Sequence, residues 1–580
     1  MKRYSISTLQ GEQPLSDYAG QTIMTTGVVI GHSRKGYFIQ DRPFEEGQKN
    51  SSGIFVFAGH PRPKIGVSIQ VWGKIHNFRK EDTDKPVTQL HAVGFDIVAA
   101  LEIDLTPIDL CRLLPDSSSE QAAFLNSIEG MLCQVNKGAR FLAPSNPFGD
   151  YVLCDDRFYE RHAELRAGEG LLIDPSDPYR WLPSIRAQDL DLAPRVDVGD
   201  KLTSNAVGPL NYRAKAYQIA VQGRITVEYR PDADSLDWDT LAREHDRALS
   251  CLTLNTFNLD PKKEDPNRVN DARRDVDDDV GDLRFTLIAQ DIVKAGCPDI
   301  IALQEMQDDD GAEITEVTTA SKNHRLLIRT INEVLRRTTS TDSVTALSKT
   351  GATAEKIQYA YAEIAPPAGA DGGQPGGNIR NSYLYNVAKL ELAKGSKGEH
   401  LIRLCQADPA FADSRKPLLA QFKHRESGTS LVVVNVHLAS KRQQRSLFAT
   451  EKPCYDERAA TRVEQARLIK TIMDRLQAAD MDVYVTGDFN DTEFSETLAV
   501  FTGSAHKNLV NDLSPDQRYD YNHRGKLQVL MHGIIPCRLK NFDKVTYKVL
   551  HGNELRGVKP GTSGIKASDH AYVLASFLIA

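Results

Sequence analysis

VYVTGDFND (483–491) is a run of strand-forming residues that ends abruptly in polar ones. Val483, Tyr484 and Val485 suit a buried strand, and the Gly, Asp and Asn that follow are turn formers. LVVVNVHLASK (431–441) has the same character, a continuous apolar strand broken only by Asn435 and His437. The pattern recurs in LTLNTFN (252–258), IIALQE (300–305) and SDHAYVLASF (568–577). Helical spacing fills the intervals. Phe285, Ile288, Ile292 and Val293 mark one face, stopped by Gly296 and Pro298. Leu327, Ile331, Val334 and Leu335 mark a second, and Val463, Ala466, Ile469, Met473 and Leu476 a third. Strands alternating with helices predict a layered α/β domain over residues 241–580.

Upstream the punctuation changes. TGVVIG, GYFIQD, GIFVFAG and IQVWGKI are short runs separated by Gly, Pro and Asn, which predicts an all-β barrel of the OB type within residues 1–104. Residues 105–240 read as a β-rich middle domain, and RPDADSLDWDT (230–240) as a polar linker closing it. No internal repeat is present. A chain of 580 residues and 64.4 kDa is too long for one core, in keeping with several domains. Hydrophobic residues at 41% and charged residues at 26% exclude collagen, extended disorder and coiled coil as the main architecture.

The formal charge of −7 gives no global positive field, so binding of a polyanion falls to local patches or to a bound metal. No apolar run reaches membrane-spanning length, and the first residues show no apolar signal core, so a cytoplasmic protein without membrane partners is expected. The eight cysteines lack any C-x-x-C spacing and read as buried thiols.

The polar residues at the strand ends carry the chemistry. Asn255, Glu305, Asp488, Asn490 and Asp569 offer oxygens, while His437 and His570 offer ring nitrogens. Oxygen ligands on rigid strands suit a hard cation such as Mg²⁺ or Mn²⁺. Zinc would show closely spaced His or Cys pairs, which are missing. Each residue alone has an ordinary reading: Glu305 as a helix-start charge, GDFND as a turn, His437 as an interior histidine, SDH as a cap. Packing does not explain why five separate strand ends all carry ligand-grade residues.

That ordered set resembles the endonuclease/exonuclease/phosphatase superfamily, the deoxyribonuclease-I-like fold, over residues 249–578. LQE, NVHLASK, GDFND and SDH carry the likeness. The resemblance implies a four-layer α/β sandwich that hydrolyses phosphodiester or phosphomonoester bonds with Mg²⁺. It implies that Asn255 and Glu305 bind the metal and that Asp569 reaches it. His437 would contact the scissile phosphate, with Asn435 beside it, and Asp488 would position or activate the attacking water. Asn490 would hold a phosphate oxygen and His570 would act at the phosphate. DGGQPGGNIRNSYLYN (371–386), SRKPLLAQF (414–422), IEGMLCQV (128–135) and GPLNYRAKAYQIAV (208–221) are similar to large bacterial nucleases with N-terminal OB-like modules. That likeness implies DNA or RNA as partner, with Arg380 at the cleft reaching substrate phosphate.

One departure stands out. The family's strand near QVLMHGIIP (528–536) carries an Asp-His whose Asp orients the final catalytic histidine, and here Met531 occupies that place before His532. Either Asp520 substitutes, or turnover is lowered, or the register is shifted. The metal set is intact, so slowed rather than absent chemistry is expected. In the first domain, Tyr37, Phe38, Trp72 and Phe78 near Arg34, Lys35, Arg79 and Lys80 read either as a stacking surface for single strands or as barrel core. VNDARRDVDDDVGD (269–282) reads as a solvated loop whose Asp275, Asp277, Asp278 and Asp279 offer, as the lesser reading, a divalent-ion site. The competing functions are a phosphoesterase of the same fold acting on a small or lipid substrate, and a catalytically weakened nucleic-acid-binding protein.

Overall fold

The computed structural model describes residues 1–580 apart from 82–83, 102, 231–246, 271–274, 341–356, 396–397, 442–446, 450–455, 504 and 563–565. The linker read at 230–240 therefore lies, from 231 on, outside the described residues.

Five strands, Thr22–Ser33, Gly36–Gln40, Gly53–Phe57, Ser68–Phe78 and Val87–Ile97, form a closed barrel in the order first, second, third, fifth, fourth. The first and fourth strands pair antiparallel to close it, and the third runs parallel to the fifth. Alternate residues such as Ile54 and Val56, or Ile69 and Val71, point inward, and helix Ile6–Gln10 adds Ile6 and Leu9 to the same core. Tyr37 is fully buried in that core, and Phe38 is buried too. Neither belongs to an exposed stacking surface, whereas Phe78 is exposed.

A nine-stranded sheet drawn from residues 108–228 follows. The barrel is fastened to it by Ser51 Oγ donating to Glu129 O at 2.6 Å and by a buried Lys85–Glu129 ion pair.

Beyond residue 247 two sheets lie face to face. The six-stranded sheet runs in the order Tyr359–Glu363, Arg380–Asn386, Ile300–Met306, Ala248–Leu259, Tyr572–Ile579, Phe542–Leu550. The seven-stranded sheet has Ser430–His437 and Val483–Asp488 as parallel central neighbours. Period-two alternation sorts the side chains. Leu249, Cys251, Ile300 and Ala302 face Val433, Tyr484 and Met531 across the inter-sheet core. Leu252, Leu254, Ile301 and Leu303 turn outward against helices Arg284–Lys294 and Ser321–Ser340. Val432, Val434, Val483 and Val485 turn outward against helix Ala459–Ala478. The result is helix, sheet, sheet, helix: the four-layer sandwich expected from the sequence. No helix among the described residues is long and apolar enough to cross a membrane.

This stacking decides where the chemistry sits. Strands Ala248–Leu259 and Ile300–Met306 are parallel neighbours in one sheet, as are Ser430–His437 and Val483–Asp488 in the other. Their carboxyl ends carry Asn255, Glu305, His437 and Asp488 to one end of the sandwich. Thr253 Oγ1 and Thr486 Oγ1, 2.7 Å apart, tie the two sheets together just below it.

Candidate active site

Asp488 Oδ2 is the centre of the arrangement. It lies 3.5 Å from Asn255 Nδ2, 3.6 Å from His437 Nε2 and 3.9 Å from His570 Nε2. His437 Nε2 is also 3.7 Å from Glu305 Oε1. Gly487 makes the approach feasible: at its φ of 141°, an added Cβ would sit 1.9 Å from Val436 O on the neighbouring strand. Two residues take the left-handed backbone region, Glu305 at φ 58° and Asn490 at φ 52°. Non-glycine residues held there cost about 1–3 kcal/mol each, and such strain gathers at functional sites. Asn490 is fixed by its own N–H donating to Asp488 Oδ1 at 2.7 Å and by Nδ2 donating to Leu438 O at 3.2 Å.

The departure at Met531 resolves in favour of Asp520. His570 Nδ1 is 3.1 Å from Asp520 Oδ1, and Asp520 is wholly buried. Its other oxygen accepts the backbone N–H groups of Leu530 at 2.8 Å and Met531 at 2.9 Å. Residue 531 thus helps hold the carboxylate through its backbone, while its side chain packs in the inter-sheet core. His532 is no part of the centre: it is buried, with Nε2 2.8 Å from Asp491 O and Nδ1 3.0 Å from Asn508 Nδ2. Tyr521 lies flat over the His570 ring, centroids 4.7 Å apart.

The electrostatics follow from burial and crowding. Burial pushes the Glu305 carboxyl up to about 6, with the charges of Asp569 and Asp488 adding to the shift and Asn255 and Arg415 opposing it. Burial likewise raises Asp488, against the pull of His570. Burial alone would depress His570. The charge of Asp569, the hydrogen bond to Asp520 and the charge of Asp488 outweigh it and push the imidazolium up to about 10. His570 is therefore cationic at neutral pH.

The residues fit a hard divalent cation. Asp569 Oδ1 is buried and, among the described residues, accepts no hydrogen bond, beside a second carboxyl, Glu305, that its charge disfavours. Carboxylate oxygens of this kind are what a hard divalent cation takes as ligands.

Two expected substrate contacts are not placed as the sequence suggested. Asn435 is fully buried: Nδ2 donates to Leu303 O at 2.9 Å and Ser382 O at 3.0 Å, and Oδ1 accepts from Gln304 Nε2 at 2.6 Å. It is a strut between the sheets. Arg380 is 2% exposed, its Nη1 2.8 Å from Glu363 Oε2 and its Nη2 donating to Asn378 O at 3.0 Å. An arginine at a strand start does suit phosphate, but here the neighbouring strand supplies a carboxylate first. Arg415, within the SRKPL stretch, is the basic residue that bears on Glu305 and Asp488, held by Nη2 donating to Leu438 O at 2.8 Å.

Among the described residues of the acidic run, Asp279 is buried and Asp275 and Asp277 are half-buried rather than solvated. One carboxylate oxygen each from Asp260, Glu264 and Asp277 lies within 4.8 Å of the others. Asp275 Oδ2 accepts from Asn258 Nδ2 at 3.0 Å, and the buried Asp279 pairs with Arg284. Burial, then mutual repulsion, pushes Asp260 up to about 10 and Asp277 up to about 8. An acid raised in the folded state binds protons that the unfolded chain has released, so this cluster lowers stability as pH climbs from about 4 towards 8. Asp277→Asn removes that residue's share of the loss: its Tm should match wild type near pH 4 and exceed it at pH 8. A variant that melts lower at pH 8 would contradict this reading of the cluster.

The class follows from fold and centre together. Residues 252–529 match the model described as the Endonuclease/Exonuclease/phosphatase family, and the chain carries a domain of that family. Residues 113–230 match a second model, described as a domain of unknown function (DUF8508). No curated protein matches the chain. Among solved structures, a humanized TDP2 from D. rerio with 14 mutations is similar at 15% identity, covering 57% of this chain and 99% of that one, with a TM-score of 0.33. The human Nocturnin catalytic domain, with bound sulfate, shares 15% identity over 58% of this chain and 95% of that one, TM-score 0.33. A mannosyl-6-phosphatase from Bacteroides thetaiotaomicron shares 15% identity over 57% of this chain and 99% of that one, TM-score 0.32.

Proposed function

We propose that the chain is a divalent-metal-dependent phosphodiesterase that hydrolyses DNA or RNA. The observation that carries this is the convergence of His437, His570 and Asn255 on Asp488 Oδ2, with Asp520 behind His570. Asn255, Glu305 and Asp569 would hold Mg²⁺ or Mn²⁺, which when bound polarises a phosphoryl oxygen and offsets charge on the leaving oxygen.

The protein's own groups do the rest. Asp488 accepts the proton of the attacking water, and its burial makes it a better base than an exposed aspartate. The new bond forms from that water to phosphorus as the bond to the leaving oxygen breaks. His570 stays cationic through the charge of Asp569 and the hydrogen bond to Asp520, and donates a hydrogen bond to a phosphate oxygen. His437 donates to another, and Asn490 offers its amide to a third. Arg415 supplies positive charge beneath the centre.

With this reading go domain limits of 1–104, 105–240 and 241–580; the barrel within 22–97, the nine-stranded sheet within 108–228 and the paired sheets from residue 248 support it. The closed five-stranded barrel supports the OB-type reading, a type that binds oligonucleotides. A cytoplasmic place is in keeping with seven free cysteines among the described residues.

The test is hydrolysis of labelled single- and double-stranded DNA and RNA, beside a small phosphomonoester, with Mg²⁺, Mn²⁺ or EDTA. Cleavage of a polymer that EDTA abolishes is the expected result. Cleavage of the small ester alone would overturn the nucleic-acid reading, and activity untouched by EDTA would overturn the metal.

A further inference from the structure

The four site residues on central strands, Asn255, Glu305, His437 and Asp488, are held by the two sheets themselves. Asp520 and His570 lie outside those strands, tied to the sheets by Asp520 Oδ2 accepting from Leu530 N and Met531 N and by Ser568 Oγ, which accepts from His570 N and donates to Asn255 O. Asp520 opens a hairpin of two three-residue strands, Tyr521–His523 and Lys526–Gln528, that form a separate two-stranded sheet. A two-stranded hairpin is marginal by itself in water and needs a surface to pack on.

That surface is the middle region. Leu527 of the hairpin and Tyr519, the residue before Asp520, share a small apolar core with Ala167, Val198 and Leu555, with Leu172 packed against it. Ile173 N donates to Leu527 O at 2.7 Å, and Asn522 Nδ2 donates to Leu142 O at 2.8 Å. Gly168 lies so close that an added Cβ would sit 2.9 Å from Tyr519 OH.

Residues 555–558 rest on the same region. Val198 N donates to Leu555 O at 2.9 Å, Gly557 N to Asp197 Oδ1 at 2.7 Å, and Ser145 Oγ to Val558 O at 2.7 Å. Gly557 passes so near that an added Cβ would fall 2.0 Å from Val196 O. Asp520 and His570 then meet, joined by their side chains and by Ala571 N donating to Asp520 O at 2.7 Å.

We infer that the middle region is a positioning element for the reaction: Val198 and Leu172, packed on Tyr519, Leu527 and Leu555, set Asp520 against His570. This gives the domain of unknown function at 113–230 a task, and it rests on the catalytic reading of His570 above. A misplacement of about 1 Å at a reacting group can cost roughly 10²-fold in rate, so modest loosening should be measurable.

The test uses the full chain. Val198→Ala and Leu172→Ala, singly and together, are each compared in the wild-type and Asp520→Asn backgrounds on one labelled oligonucleotide. The double variant should lower kcat about tenfold with KM within about twofold, while Val198→Ile, which keeps the packing, should retain activity. In the Asp520→Asn background the same truncations should cost nothing further, because the group they position is gone. An equal fall in both backgrounds, or none in wild type, overturns the inference while leaving the catalytic reading standing. If Asp520→Asn itself leaves kcat unchanged, both fall together. Should Val198→Ala prove unfolded by its melting curve, Leu172→Ala, at a half-buried position, carries the same comparison.

Discussion

Asp488→Asn should fold normally and lose hydrolysis by about 10³-fold, within the roughly 10²–10⁴-fold that a positioned base contributes. The size follows from the geometry. Three groups from three different strands or strand ends converge on Asp488 Oδ2, and no other described carboxylate oxygen lies within 4 Å of both His437 Nε2 and His570 Nε2. The amide keeps the hydrogen bond from Asn490 N but accepts no proton from water. Its stability should change little or rise, since the exchange removes a buried acid that burial already disfavours. The measurements are single-turnover cleavage and a melting curve. A variant retaining more than about a tenth of the wild-type rate would deny Asp488 the role of base.

Asp520→Asn should be the next largest loss, about 10²-fold in kcat with KM little moved, because it acts through His570 rather than on substrate. The companion experiment is Met531→Asp, which writes back the acid expected from the resemblance. It should not rescue Asp520→Asn. Residue 531 points into the inter-sheet core with no exposure, so a carboxylate there is buried without a partner. The cost is about 3–5 kcal/mol, read as a large fall in Tm. Rescue of activity by Met531→Asp would show that the strand carries that side chain towards His570 instead.

The protein's stability carries the same signature. His570 is raised in the folded state, to about 10 against an ordinary value near 6.5. Its contribution is therefore complete below about pH 6.5 and is lost as pH rises through 10. Glu305, raised to about 6, also lowers stability as pH rises, over the window from about 4.5 through 6, and most where no cation sits beside it.

Much of the sandwich was legible because its strands are buried on both sides. Continuous apolar runs such as LVVVNV and the 3.6-residue spacing of Ile288, Ile292 and Val293 leave little freedom for another assignment. The strand-end residues were legible for the same reason: a polar side chain after such a run is costly unless it has work to do. What local sequence hid was pairing across the chain. Arg380 reads as a phosphate ligand until Glu363 arrives from the neighbouring strand, and Asn435 until Gln304, Leu303 and Ser382 surround it. Tyr37 and Phe38 lie in the same five-residue barrel strand and are both buried, a fact of barrel closure that adjacent residues cannot announce. The 275–279 acids looked solvated because Asp260 and Glu264, which they join, lie before a stretch of polar loop. Asp520 is only one of three outcomes that the sequence allows, since ten residues, most of them hairpin, lie between it and the position it replaces.

The claim that Asp520 takes over the missing acid is tested most directly by the rate of phosphodiester cleavage against pH, for wild type and Asp520→Asn. Wild type should hold its rate into the alkaline range, where the charge of Asp569, the hydrogen bond to Asp520 and the charge of Asp488 keep the imidazolium protonated. Asp520→Asn should lose rate at distinctly lower pH, because the hydrogen bond and charge that hold the imidazolium are gone. Profiles of the same shape, differing only in height or not at all, would contradict the account.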